Sequence, residues 1–227
     1  MNDRRTDRVA LVVGSGGIGS ALAAALAGEG EVVVWSRKTG VDVTDEGSIA
    51  RAAAAVPAAL SRVFVTTGLL HDREQMPERA LREVTAERLM RLFLVNTVAP
   101  ALVLKHVAPR LPRDAPALFA ALAARVGSIG DNRLGGWHGY RASKAALNML
   151  IKTLSIELAR TRPQAVCVGL HPGTVATPLS APFQRGVRPD QLQQPAAAAA
   201  RLLDVLAGLV PGQSGRCFDW RGDEIPA

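Results

Sequence analysis

The chain has 227 residues, of which 48% are apolar and 21% charged, and a formal net charge of +7. That length suits one domain, residues 1 to 227, able to bury most of a parallel sheet, and the apolar share excludes a disordered chain. The positive charge does not point to nucleic acid, because the cations alternate with acids through Arg73 to Arg91 and around Arg185 to Arg201, as on solvated helix faces.

The first segment, Met1 to Arg8, is charged and lacks the apolar stretch and cleavage site of a secretory signal. No later stretch reads as long and charge-free enough to span a bilayer, so no membrane association and a cytoplasmic location are expected. Val9 to Val13 reads as the first strand and Glu31 to Ser36 as the second, with an alanine-rich helix between them. A short strand ending at Asp42-Val43, a helix through Ala50 to Ala55 and a strand from Arg62 to Thr66 follow, the last closing at Thr67-Gly68. From Thr85 to Leu111 apolar residues recur at helical spacing, and Pro100 should bend or interrupt that run. Ala115 to Ala123 reads as a buried strand, and a glycine-rich loop over Gly127 to Gly139 leads into a long helix starting near Tyr140 and ending near Arg160. Ala165 to Leu170 is a strand, Pro195 to Leu206 a helix begun by a proline, and Arg216 to Trp220 the last strand. Strands alternating with helices predict an α/β fold: a doubly wound, Rossmann-like parallel sheet of about seven strands.

After the first strand comes Gly14-Ser15-Gly16-Gly17-Ile18-Gly19, a glycine turn opening a helix. Glycines there let backbone amides approach a pyrophosphate, toward which the helix N-terminus presents partial positive charge. The second strand ends at Ser36-Arg37-Lys38, where a site preferring NAD(H) usually carries an acid for the ribose hydroxyl. A guanidinium offers a fork of donors to a 2′-phosphate instead, so NADP(H) is the expected cofactor and NAD(H) the lesser one. Asp42 can accept from an adenine amino group, although a solvated turn aspartate has the same local sequence.

Tyr140 and Lys144 stand four residues apart, on one face of a helix. A phenol with an ordinary pKa of about 10 is a poor proton donor or acceptor near neutrality, and a neighbouring ammonium lowers that value. The same spacing also suits an amphipathic tyrosine beside a snorkelling lysine. Cys167 and Cys217 sit in apolar strand-like segments and read as buried thiols, and the four histidines share no metal-ligand spacing, so no metal is expected.

The glycine turn, Thr67-Gly68, Asn96 on the long helix, Tyr140-Arg141-Ala142-Ser143-Lys144 and Pro172-Gly173-Thr174-Val175-Ala176-Thr177 occur in the order of the short-chain dehydrogenase/reductases, which the chain resembles along nearly its whole length. Gly127-Ser128-Ile129, Gly135-Gly136-Trp137 and Tyr140 to Asn148 are most similar to the C-factor and sniffer-type carbonyl reductases. The resemblance implies that Tyr140 protonates a carbonyl oxygen, that Lys144 lowers its pKa and holds the nicotinamide ribose, and that Asn96 anchors a relay water. It places Gly14, Ser15, Gly17, Ile18, Gly19, Ser36, Arg37, Asp42, Val43, Thr67, Gly68, Pro172, Gly173, Thr174, Val175 and Thr177 against the cofactor. It also implies a homodimer or homotetramer paired through the long helices.

Two departures stand out. The family's glycine turn is usually one residue longer and preceded by a threonine, where Val13 stands here. The family's serine after the fifth strand aligns with Ala123 and Ala124, which leaves Ser128 as the nearest hydroxyl to take its part. The leading expectation is a carbonyl reductase acting on a small-molecule carbonyl or alcohol. The alternative is a nucleotide-binding signalling or sensor protein of the same fold with little turnover, favoured by the two alanines and opposed by Tyr140, Lys144 and Asn96.

Overall fold

Runs of valine, leucine and alanine become strands here because both of their faces are covered. The computed structural model describes residues 9–56, 59–72 and 75–227, so the reading of Met1 to Arg8 lies outside the described residues. In chain order the strands are β1 (Val9–Val13), β2 (Val32–Trp35), β3 (Leu60–Val65), β4 (Ala117–Leu122), β5 (Ala165–His171), β6 (Thr174–Val175), β7 (Leu192–Gln193) and β8 (Cys217–Asp219). The helices are α1 (Gly17–Leu26), α2 (Glu46–Ala55), α3 (Ala86–Phe93), α4 (Ala99–Val107), α5 (His138–Thr161) and α6 (Pro195–Ala207).

Six strands form one sheet in the order β2-β1-β3-β4-β5-β8, and β6 pairs with β7 in a separate two-stranded ribbon. Every pairing between these strands is parallel. Alternate residues of β1 point to opposite faces, as a pleated strand requires. Leu11 and Val13 join Ile49 of α2, Val103 and Val107 of α4, and Leu147 and Ile151 of α5. Ala10 and Val12 join Leu22 and Leu26 of α1, and Leu202 and Leu206 of α6. Helices on both faces make the fold doubly wound.

The main sheet has six strands where about seven were expected, and Asp42-Val43 is not one of them. The chain leaves β2 through a 3₁₀ turn at Arg37–Thr39 and a left-handed Gly40, φ +81°. Asp42 then closes a turn by accepting from the amide and the hydroxyl of Thr44, at 2.9 and 2.7 Å. Too little chain remains before α2 to lay down an edge strand.

Pro100 does interrupt its helix. A π turn, Leu94–Val98, precedes it and α4 restarts with the proline in its first turn; the wider turn relieves the clash between a proline ring and the carbonyl four residues earlier. The run Ala86–Arg110 is, by length and composition, apolar enough to cross a bilayer, contrary to expectation. In this fold it is a core helix, with Leu92, Ala99, Val103, Leu104 and Val107 all buried.

The chain passes from β1 outward to β2 and then returns to the other side of β1 with β3. Connections therefore diverge above the carboxyl ends of β1 and β3, and a crevice opens there, the place where sheets of this kind bind nucleotides.

Candidate active site

The glycine turn follows β1 directly at the crevice. Gly14 has φ +114°, and a Cβ on it would lie 2.5 Å from Thr66 Oγ1, so only glycine fits. A Cβ on Gly19 would run into the Gly14 carbonyl, and one on Gly17 would come 2.7 Å from Thr177 Cγ2. Gly17 thus brings the glycine turn and the segment after Pro172-Gly173 together. Gly16 faces open space and no side chain caps the first turn of α1, which leaves its amides available to an anion.

Two hydroxyls at this edge are buried without a hydrogen-bond partner, Ser36 Oγ after β2 and Thr67 Oγ1 after β3. Orphaned buried hydroxyls are costly unless a ligand completes them, so together with the glycine cradle the residues fit a dinucleotide. Arg37 is exposed beside Ser36. Asp42 commits one oxygen to Thr44, whose hydrogen bonds hold its carboxyl below the usual range. Val43 packs against the core, Ile18 against the α1–α6 layer, and Ser15 presents its carbonyl to the Ser20 hydroxyl.

At the carboxyl ends of β3 and β4 the structure gathers Gly68, Asn96, Tyr140 and Lys144. The position of a Cβ on Gly68 is 3.7 Å from Asn96 Oδ1 and 3.9 Å from Lys144 Nζ. Asn96, fully buried in the π turn, accepts from Leu69 N and donates to Leu69 O, both at 2.8 Å, and donates to Ser143 Oγ at 3.0 Å. These bonds tie the segment after β3 to α5. Lys144 Nζ donates to Leu122 O at 2.7 Å and lies 5.9 Å from the centre of the Tyr140 ring.

Burial dominates the electrostatics of this pair. Tyr140 is pushed up to about 12 by desolvation, and Lys144 is brought down to about 8 by the same cause. Desolvation thus moves the phenol in the direction opposite to the one a neighbouring ammonium favours, and the Lys144 nitrogen is here turned to a main-chain carbonyl.

Of the two alanines in line with the serine of the family the sequence resembles, Ala124 shares a buried cluster with Tyr140, Leu70 and Leu92, whereas Ala123 belongs to the core beneath the sheet. Ser128 is buried beyond the 3₁₀ turn Arg125–Gly127, where its hydroxyl accepts from the Asp131 amide at 3.1 Å.

An aromatic wall stands over Tyr140. Trp137 meets the Tyr140 ring edge-on at 6.2 Å and Phe183 at 4.9 Å, and Phe183 meets His71 at 5.5 Å. His71 Nε2 donates to Leu179 O at 3.0 Å, closing the segment after β6 over the site. Pro172 O accepts from Gln193 Nε2 at 2.8 Å, Gly173 turns with φ +74°, Thr174 and Val175 form β6, and Val175 is buried.

The sequence reading missed Glu78 and Arg88, both buried and paired at 2.9 Å beside the start of α5, and the left-handed backbone of Trp137. A lone acid in an irregular segment carries no periodic signal. The glycine pair before Trp137 is the one local hint of the left-handed turn.

The family model for short chain dehydrogenases matches residues 37–187. The C-signal protein of Myxococcus xanthus is 37% identical over 148 residues, 65% of this chain and 83% of that protein. The 1-hydroxy-2-glutathionyl-2-methyl-3-butene dehydrogenase of Rhodococcus sp. strain AD45 is 32% identical over 183 residues, 78% of this chain and 74% of that protein. Among solved structures, the carbonyl reductase Sniffer of D. melanogaster superposes with a TM-score of 0.80 at 19% identity, covering 98% of this chain and 100% of that one. The NADPH-bound carbonyl reductase from chicken fatty liver superposes with a TM-score of 0.81 at 24% identity, covering 98% and 100%. Likeness at these identities speaks to the fold.

Proposed function

The chain belongs to the short-chain dehydrogenase family of oxidoreductases, and from that premise we propose that it is an NADP(H)-dependent carbonyl reductase acting on a small-molecule carbonyl or alcohol. The observation that carries the reading is the convergence of Tyr140, Lys144 and Asn96 at Gly68, beside a crevice with two orphaned hydroxyls. Gly14 to Gly19 and the first turn of α1 would hold the pyrophosphate, Ser36 and Arg37 the 2′-phosphate, Thr67 and Thr177 the middle of the cofactor. Bound there, the nicotinamide supplies the hydride. Arg37 in the place of an acid supports NADP(H) over NAD(H), as do the NADPH and NADP held by similarly folded proteins.

Tyr140 delivers the proton to the carbonyl oxygen as the hydride arrives at its carbon, and the Lys144 ammonium, 5.9 Å from the ring centre, stabilises the phenolate left behind. The wall of Trp137, Phe183 and His71 excludes water and favours an apolar substituent on the substrate. Exposed Met90, Leu94 and Val98, spaced four apart along α3 and the π turn, with exposed Met149 and Ile156 on α5, support pairing of copies through these helices.

The test mixes purified protein with NADPH or NADH and a panel of aldehydes, ketones and diones, following nicotinamide absorbance. The expected result is oxidation of NADPH in clear preference to NADH, lost in Tyr140→Phe. Tight NADPH binding without turnover of any compound would favour the second reading, a signalling or sensor protein, for which Ala124 in the serine position is the specific observation.

A further inference from the structure

We propose that the buried Glu78–Arg88 ion pair is a latch that positions the start of α5, and with it Trp137 and Tyr140; its catalytic consequence rests on the reading of Tyr140 as proton donor. The segment leading into α5 is built against the grain of an L-peptide. Gly135, Gly136 and Trp137 are left-handed in succession, φ +61°, +64° and +51°. For a bulky residue such as tryptophan that conformation is a true outlier, and it persists only where its surroundings over-determine it.

Trp137 cannot cap the helix it precedes, and no side chain of its own segment does so. Glu78 does both jobs from the far side of the crevice. Its carbonyl accepts from Trp137 N at 2.5 Å, and its carboxylate Oε2 accepts from Gly139 N at 3.3 Å, in the first turn of α5. A carboxylate there also complements the helix dipole. The closeness explains Gly139, on which a Cβ would come 2.6 Å from Leu92 and 3.0 Å from Glu78 Oε1.

Glu78 is 1% exposed and Arg88 8%, so neither charge is tolerable without the other. Arg88 Nε lies 2.9 Å from Glu78 Oε1, while its other nitrogens donate to Gln75 Oε1 at 3.0 Å and Leu70 O at 3.4 Å. The pair thus joins α3, the segment after Gly68 and the first turn of α5. Leu70 and Leu92, flanking the pair, are the residues packed with Tyr140. Glu78 and Arg88 are positioning residues.

Tyr140 is the chain's one tyrosine, so protein labelled with 3-fluorotyrosine gives a single ¹⁹F resonance that reports its surroundings without any turnover. In Glu78→Ala that resonance is expected to shift and broaden. With the carbonyl substrate, kcat should fall about 10- to 100-fold while the Kd for NADPH stays within about twofold. Glu78→Gln, which keeps an oxygen for Gly139 but no charge for Arg88, should retain the fold and fall between. Leu206→Ala, on the opposite face of the sheet, is the control: it should lower Tm and leave both readouts unchanged. The proposal is overturned if a folded Glu78→Gln or Glu78→Ala protein keeps the wild-type resonance, or if Leu206→Ala disturbs it as much. Absence of turnover in the wild type defeats the reductase reading alone, because the resonance still tests the latch.

Discussion

At Lys144 activity and stability respond to pH with opposite sign. Its pKa falls from the ordinary 10.5 to about 8 because the buried ammonium is poorly solvated. Between those values the unfolded chain holds a proton that the folded chain has lost, so this group makes the fold more stable as pH rises through the window. Carbonyl reduction should instead weaken above about pH 8, as the charge that assists Tyr140 disappears, while Tyr140 itself keeps its proton to about 12. Urea unfolding at pH 7.5 and pH 10, set beside a pH–rate profile, checks both halves. Ala124 gives a second residue-scale prediction. One pre-organised donor to a developing oxyanion is typically worth about 10²–10³ in rate, so Ala124→Ser should raise kcat toward that factor, while Ser128→Ala, whose hydroxyl serves Asp131, should leave kcat within about twofold. Steady-state kinetics of the two variants decides. The four-residue spacing of Tyr140 and Lys144 was readable along the chain because helical periodicity is local. The direction in which Tyr140 shifts was not, because desolvation depends on what Leu70, Leu92 and Ala124 bring to it from elsewhere.

Among elements, those with an uninterrupted period came through the sequence reading best. β1 spans Val9 to Val13 as expected, α1 is the expected helix after the glycine turn, and α6 starts at Pro195. Pro100 correctly marked a break, and what it marks is a π turn that seats Asn96 against α5, a frequent device at functional sites. The exceptions are elements closed by partners distant in sequence. The supposed strand at Asp42-Val43 is consumed by a turn onto Thr44. The start of α5 lies two residues earlier than Tyr140 because Glu78, 61 residues before Gly139, caps it.

For the whole molecule, stability comes from two apolar layers, one on each face of the sheet. Leu202 of α6 is fully buried in one of them, whereas Leu134 in the glycine-rich loop is 91% exposed. Leu202→Ala should cost about 2–5 kcal/mol of unfolding free energy, and Leu134→Ala should change it by less than about 0.5 kcal/mol; denaturant titration compares them directly. By itself the sequence determined the alternation of strands and helices, the glycine turn at the end of β1 and the residues of the reactive pair. These are readable because hydrophobic period and motif spacing act within a few residues. Only the tertiary structure decided that Ala124 packs with Tyr140, that burial pushes the phenol up, and that Glu78, paired with Arg88, meets the first turn of α5. Each depends on which distant segments meet at the crevice, and the burial created by that meeting sets both the geometry and the local dielectric.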